Sequence, residues 1–305
     1  MDKIVAVVET VLPVFLALFL GAWCRSRRFL NREGVDAMKK VVLNLTLPFV
    51  LLNAFATAEY SASALILPAV VFLLCCLALF LGYLIVGRKT RILGFLASGF
   101  EAGMLGYALF TMLFPNVSVS HFAILDLGQT LFVFTLFKIL LSGKKDWKVI
   151  GKDMVTTPIL WAVFAGVLIG ATGLYGKLQV WGVSGILDST TSFLSAPTAM
   201  IILLTVGFDL VLKEIPWKKT AALIAMRLGV MAVLAGIVIL LNRTVLNGMI
   251  FEGAAILMFI LPPPYVIPVF ADEPSQRVQV SAALSAMTVA TMVLFAVFGV
   301  IVSVL

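Results

Sequence analysis

S-G-F-E-A-G-M-L-G-Y at 98–107 and I-L-P-P-P-Y-V-I-P at 260–268 decide the fold of this chain. Gly99, Glu101, Gly103 and Gly106 interrupt the fourth long apolar run. Pro262, Pro263, Pro264 and Pro268 interrupt the ninth. A broken helix frees backbone N–H and C=O groups that hydrocarbon cannot satisfy, so such breaks persist only where protein or a water-filled cavity surrounds them. Breakers at corresponding places in two halves are the sequence mark of a secondary transporter's binding site. The chain reads as a carrier.

Composition agrees with a chain built for a bilayer. Of 305 residues, 62% are hydrophobic and 12% charged, and the mean hydropathy is +1.14. A soluble domain carries roughly 25% charged residues. The formal charge of +7 and pI near 9.4 raise nucleic acid as a partner, but the basic residues sit in short connections rather than on one soluble face, which argues against it. Cys24, Cys75 and Cys76 have no metal-binding spacing and lie in or beside apolar runs, as packing thiols do. The first run, Ile4 to Trp23, is long, follows Asp2-Lys3 and precedes its strong basic cluster, so it reads as a span rather than a cleaved signal.

A span needs about 20 residues. Ten candidates fit: 4–24, 38–57, 63–86, 92–114, 119–141, 156–174, 185–211, 220–241, 249–270 and 279–303. Basic residues gather in the odd connections: Arg25, Arg27, Arg28, Arg32, Lys39 and Lys40; Arg88, Lys89 and Arg91; Lys144, Lys145, Lys148 and Lys152; Lys213, Lys218 and Lys219; and Arg277. Even connections and termini hold only Lys3, Lys177 and Arg243. By the positive-inside rule both termini face outward. Five spans followed by five put the halves in opposite orientations, which for homologous halves is an inverted repeat. The expected architecture is an all-α integral membrane protein of ten transmembrane helices, with broken, crossing fourth and ninth helices. Its first five-helix repeat covers 1–142, a cytoplasmic connection 143–155 and the second repeat 156–305.

Glu101 lies inside a membrane segment, where an ionised carboxylate costs several kcal/mol unless paired or wetted. It is the candidate for proton coupling; the structural alternative is a carboxyl that ties two helices together. Each proline lacks an N–H and displaces the carbonyl four residues back, so the carbonyls of Met258, Phe259 and Ile260 are expected free for a cation or water. N–H groups near Tyr265 and Val266 are expected to face an anion, against the alternative of a kink with no ligand. Gly103 and Gly106 permit two backbones to cross, although small residues are also ordinary packing in bundles. Asn44, four residues before Pro48, joins a site or patches a released carbonyl. The candidate substrate-binding set is Gly103, Gly106, Tyr107, Pro262, Pro263, Pro264, Tyr265 and Asn44.

Asp126 and Gln129 share a helix face and, with Ser281 and Arg227, are candidates for lining the cavity or binding an ion. Interhelical hydrogen bonding is the alternative for Asp126 and Gln129; Arg227 holds a substrate carboxylate, partners an acidic side chain or snorkels to the interface. Asp209 precedes Lys213 by four, as a structural ion pair would. His121, the only histidine, sits at a predicted outer edge, where a capping or interfacial role is expected rather than catalysis. Gly182-Val183-Ser184-Gly185 resembles the nucleophile motif of rhomboid proteases, but a serine nucleophile needs a base in reach and ten spans do not suit that family. No zinc pair, Walker loop or nucleotide fingerprint occurs, so neither an enzyme nor a cofactor is expected; the coupling ion is a proton or sodium.

E-A-G-M-L-G-Y-A at 101–108, L-N-L-T-L-P at 43–48 and the proline-rich ninth run together resemble the auxin efflux carrier family, in its bacterial branch of malate and malonate permeases. The resemblance covers essentially the whole chain. Its fourth-helix pattern is N-x-G-x-x-G-x-P, and the architecture is similar to that of bile acid:sodium symporters. It implies ten helices in inverted repeats, a scaffold part and a transport part, organic anions as substrates and a homodimer. Glu101 stands at the family's asparagine position and Ala108 at its proline position. An asparagine donates to a carboxylate, whereas a glutamate repels one unless protonated. That departure favours proton coupling or a substrate with a positive group.

The expected function is alternating-access transport of a small organic acid across the cell membrane, proton-coupled through Glu101. The lipid bilayer and the substrate are its partners, and nucleic acid is not. A sodium-coupled carrier of the same fold, or a membrane sensor or channel without coupled turnover, is the alternative.

Overall fold

The computed structural model describes residues 2–58, 66–87, 91–142, 156–210, 217–270 and 274–304, and among them every regular element is helical. Arg88, Lys89, Lys144, Lys145, Lys148, Lys152 and Lys213, which carry much of the charge asymmetry, lie outside the described residues, as does the 143–155 connection. The side chains of Lys3, Lys218 and Lys219 do too.

Helix α1 (Asp2–Ser26) ends in a tight turn with Arg28 at φ 55°. Asn31 then caps α2 (Arg32–Val41), its side chain accepting from Gly34 N at 2.8 Å. Before α3 (Leu47–Ala56) the chain widens into a π turn, Val42–Thr46. Pro48 explains it: its missing N–H releases the carbonyl four residues back, and a π turn re-spaces the ladder. Next come α4 (Ile66–Val86) and α5 (Arg91–Gly94), which tightens into a 3-10 turn, Phe95–Ala97, and stops. After the break a π turn, Ala102–Gly106, leads into α6 (Tyr107–Leu113). Helix α7 (Ser120–Phe132) continues through another π turn, Val133–Phe137, to α8 (Lys138–Ser142).

In the second half α9 (Pro158–Ala171) meets α10 (Leu174–Val180) at a 64° bend, where Gly173 takes φ 67°. Helices α11 (Ser184–Ser195) and α12 (Thr198–Asp209) are joined at Ala196-Pro197. The 28-residue α13 (Trp217–Thr244) precedes α14 (Glu252–Ile260), which stops at the prolines. A 3-10 turn, Ile267–Phe270, and the 31-residue α15 (Pro274–Val304) complete the chain.

Among the described residues, five helical stretches are long and apolar enough to cross a membrane, or seven if each bent pair counts as one span. The outward apolar side chains fit that environment: Leu73, Phe80, Leu84, Phe164 and Phe193 are all more than half exposed, a cost in water but not in lipid. Closely approaching backbones hold the bundle. Helices α1 and α12 touch so tightly that a Cβ on Gly21 would lie 2.0 Å from Leu204 O, and one on Gly207 2.0 Å from Leu18 O. Helix α9 lies on α3 through Gly166, 2.8 Å by the same measure from Leu52 O. Buried aromatics fill the centre, with Tyr107, Phe110 and Phe122 in contact around the restarted helix α6.

Candidate functional site

The two broken segments meet each other. At the first, Ser98 Oγ donates to Cys75 O at 2.8 Å, anchoring the break to α4. Gly99 then takes φ 68°, and a Cβ there would stand 2.9 Å from Pro264 Cγ. Glycine is needed twice over, for the left-handed backbone and for the contact with the second break. Gly106 makes the next approach, since a Cβ on it would meet Leu261 Cδ1 at 2.8 Å. Gly103 meets only Leu47 Cδ2, at 3.5 Å, and faces the cavity.

Glu101 joins the two segments by two bonds and caps its own by a third. Its N–H donates to Pro262 O at 2.8 Å. Its Oε1 accepts from Met104 N at 3.1 Å, capping the restarted helix. Its Oε2 accepts from Tyr265 N at 2.6 Å, across 164 residues of chain. The group that Tyr265 N faces is thus a carboxyl of the chain itself. Tyr265 is fixed in turn by its hydroxyl, 3.0 Å from Thr288 Oγ1.

The carbonyls at the proline break are not left free as a group. Met258 O accepts from Leu261 N at 3.2 Å, and Ile260 O from Thr291 Oγ1 at 2.7 Å. The reading of these two as an open cation site is therefore corrected: neighbouring donors reach them because the break lies within packed protein, as its burial demands.

A cavity of about 650 Å³ opens beside the crossing. Glu101, Gly103, Tyr107, Asp126, Gln129, Pro264, Tyr265 and Ser281 line it, together with Phe100, Thr130 and Thr288. Inside it Tyr107 Oη donates to Asp126 Oδ2 at 2.8 Å. Gln129 Nε2 donates to Phe100 O at 2.8 Å and, more weakly, to Asp126 Oδ1 at 3.4 Å. Among the described residues Gln129 Oε1 is buried without a donor. At the exposed end, Asp209 is bonded by Arg32 Nη1 at 2.6 Å and by Lys39 Nζ. Asp209 therefore pairs with α2, a partner invisible in local spacing, while Lys213 lies outside the described residues.

Other expected site residues are placed elsewhere. Asn44 is exposed and absent from the cavity wall; its Nδ2 donates to Lys40 O at 2.8 Å, patching the ladder before Pro48. Gly106, Pro262 and Pro263 are buried in the crossing rather than lining the cavity. Arg227 neither lines the cavity nor snorkels. At 3% exposure it sits behind the crossing with its guanidinium spent on backbone carbonyls of Leu96, Gly99 and Leu261. The missed signal was its depth in α13, too far from a helix end to reach water. His121 is exposed and lies against Phe251, ring centres 5.8 Å apart, with no hydrogen bond to Ser184. Among the described residues no group of three His, Cys, Asp or Glu side chains could hold a metal ion.

No protein-family model matches the chain. It is 26% identical over 214 residues to an uncharacterized transporter of Methanothermobacter thermautotrophicus, covering 66% of this chain and 67% of that protein. That likeness and the apolar helices point to a multi-pass membrane transporter.

Proposed function

We propose that this protein is a secondary active transporter that moves a small organic acid across the cell membrane by alternating access, with Glu101 carrying the coupling proton. The observation that carries the reading is the Glu101 carboxylate, held between Met104 N and Tyr265 N where two broken segments cross beside a cavity. These N–H groups are the natural seat of a substrate carboxylate. When Glu101 is ionised it takes that seat itself and ties the two segments together. When it is protonated it is a poorer acceptor, the N–H groups become available, and an incoming anion no longer meets a like charge. One seat thus serves the proton-free glutamate or the substrate, never both, which couples anion entry to proton entry. Gly103, Tyr107 and Tyr265 surround the seat, and Asp126, Gln129 and Ser281 form the rest of the wall.

On this reading the chain has ten transmembrane helices in two inverted five-helix repeats, 1–142 and 156–305, joined by a cytoplasmic connection at 143–155. Reciprocal packing supports it: the first helical segment lies on the seventh through Gly21 and Gly207, and the sixth lies on the second through Gly166. Exchanging the halves turns one pair into the other. A homodimer with both termini outside belongs to the same proposal.

The test is uptake into proteoliposomes of labelled mono- and dicarboxylates under an imposed proton gradient, with wild type beside Glu101→Gln. Wild type should accumulate an acid while the gradient lasts, and the variant should lose accumulation yet keep exchange. A sodium requirement at constant pH would overturn the proton assignment. Binding without flux would make the protein a sensor.

A further inference from the structure

Arg227 presents a second built-in ion at the crossing, buried outside the cavity that Glu101 lines. Its Nε and Nη2 donate to Leu261 O at 3.2 and 2.7 Å, its Nη2 to Gly99 O at 2.9 Å and its Nη1 to Leu96 O at 3.0 Å. Four of the five guanidinium donors are used, and the Phe100 ring lies 5.8 Å from its central carbon. Among the described residues no carboxylate makes an ion pair with it. The three carbonyls belong to both broken segments and are those the breaks release. Leu96 lies in the last turn before the first break, Gly99 lies within that break, and Leu261 follows the last residue of α14. Carbonyls converging from two helix ends form a cation seat, because their negative dipole ends face one point. An arginine stays charged through the working range and cannot leave.

We propose that these carbonyls form a monovalent-cation site permanently occupied by the Arg227 guanidinium, so that the crossing needs no bound sodium ion. A tethered cation here and a carboxylate at Glu101 then satisfy the free backbone groups of one crossing. The inference stands on Arg227 alone and does not depend on which substrate is carried.

Its test needs no substrate and therefore separates from the transport reading. Wild type, Arg227→Ala and Arg227→Lys are purified in detergent. Thermal melting is followed as sodium, potassium or methylguanidinium chloride replaces N-methylglucamine chloride at constant ionic strength. Wild type should melt at one temperature in all four salts. Arg227→Ala should melt lower and recover by several degrees, saturably, with at least one small cation, as a ligand that binds only the folded state does. Arg227→Lys, which keeps a charge in the seat, should not respond to sodium. A saturable sodium-dependent rise in wild type would overturn the proposal, and so would an Arg227→Ala protein indifferent to every cation. Should Arg227→Ala not survive purification in any salt, the wild-type and lysine titrations decide alone: sodium sensitivity in either sinks the proposal, and its absence in both upholds it.

Discussion

At the scale of single residues, the cavity wall is held by a hydrogen bond whose loss should be measurable. Tyr107 and Asp126 are 2% and 6% exposed, so neither finds bulk water if its 2.8 Å bond is removed. Tyr107→Phe leaves a buried carboxylate short of a donor, which costs about 1–3 kcal/mol, and should lower the melting temperature. Asp126→Asn added to Tyr107→Phe should return part of the loss, because the group left wanting is then neutral. A double-mutant cycle should show a coupling of about 0.5–3 kcal/mol; strictly additive losses would mean the bond contributes nothing. Glu101 was legible from sequence because an ionisable residue among glycines within an apolar run is conspicuous. Its partner Tyr265 N was foreseeable as a donor facing an anion, but not as the partner of Glu101 itself. The office of Arg227 was not, since its acceptors lie 34 to 131 residues away and are backbone atoms that leave no mark in side-chain spacing.

At the scale of elements, the packing of α1 on α12 depends on the absence of two side chains. Any Cβ on Gly207 would come within 2.0 Å of Leu18 O, a backbone atom that cannot rotate away. Gly207→Ala should therefore force the helices apart and cost about 1–3 kcal/mol or more, as overpacking does. Gly176→Ala, with nothing within 4 Å of its added Cβ, should leave melting nearly unchanged. Equal melting of the two variants would show that α1 and α12 are not held by this contact. Helix-length apolar runs and their breakers could be read from composition, so the interruptions between Ala97 and Ala102 and after Ile260 lie where Gly99 and the prolines foretell. The π turns could not. They keep the chain helical and alter only the hydrogen-bond step, which a 3.6-residue period does not resolve. The 64° bend after Ala171 was hidden for a related reason. Gly173 falls at the last step of the 156–174 run, where a breaker looks like the end of a span and not a bend within one.

At the scale of the whole molecule, the orientation proposed from the basic connections makes opposite predictions for two exposed positions. Ser26 is the last residue of α1, among Arg25, Arg27 and Arg28 of the first basic cluster, whereas Lys177 lies between α9 and α11, in the sixth connection of the proposed topology. If basic connections are retained on the cytoplasmic side, a cysteine at 26 faces inward and one at 177 outward. The background must first lose Cys24, Cys75 and Cys76, all free thiols. On intact cells a membrane-impermeant maleimide should label Lys177→Cys at once and Ser26→Cys only after permeabilisation. The reverse pattern would invert the molecule while keeping its halves antiparallel. Labelling of both from outside would require an even number of crossings between them, incompatible with five spans separating the first and sixth connections. The outcome also bears on coupling. The cavity end that carries Arg32, Lys39 and Asp209 is tied to the end of α1 by Arg25 Nη1, which donates to Phe208 O at 2.8 Å, so inward labelling at 26 would make this the cytoplasm-facing state. Glu101 would then meet the cytoplasmic proton pool while its carboxylate holds Tyr265 N. Substrate protection of an inward-facing cysteine should accordingly strengthen as the cytoplasmic side is acidified, because protonation frees the seat the anion needs.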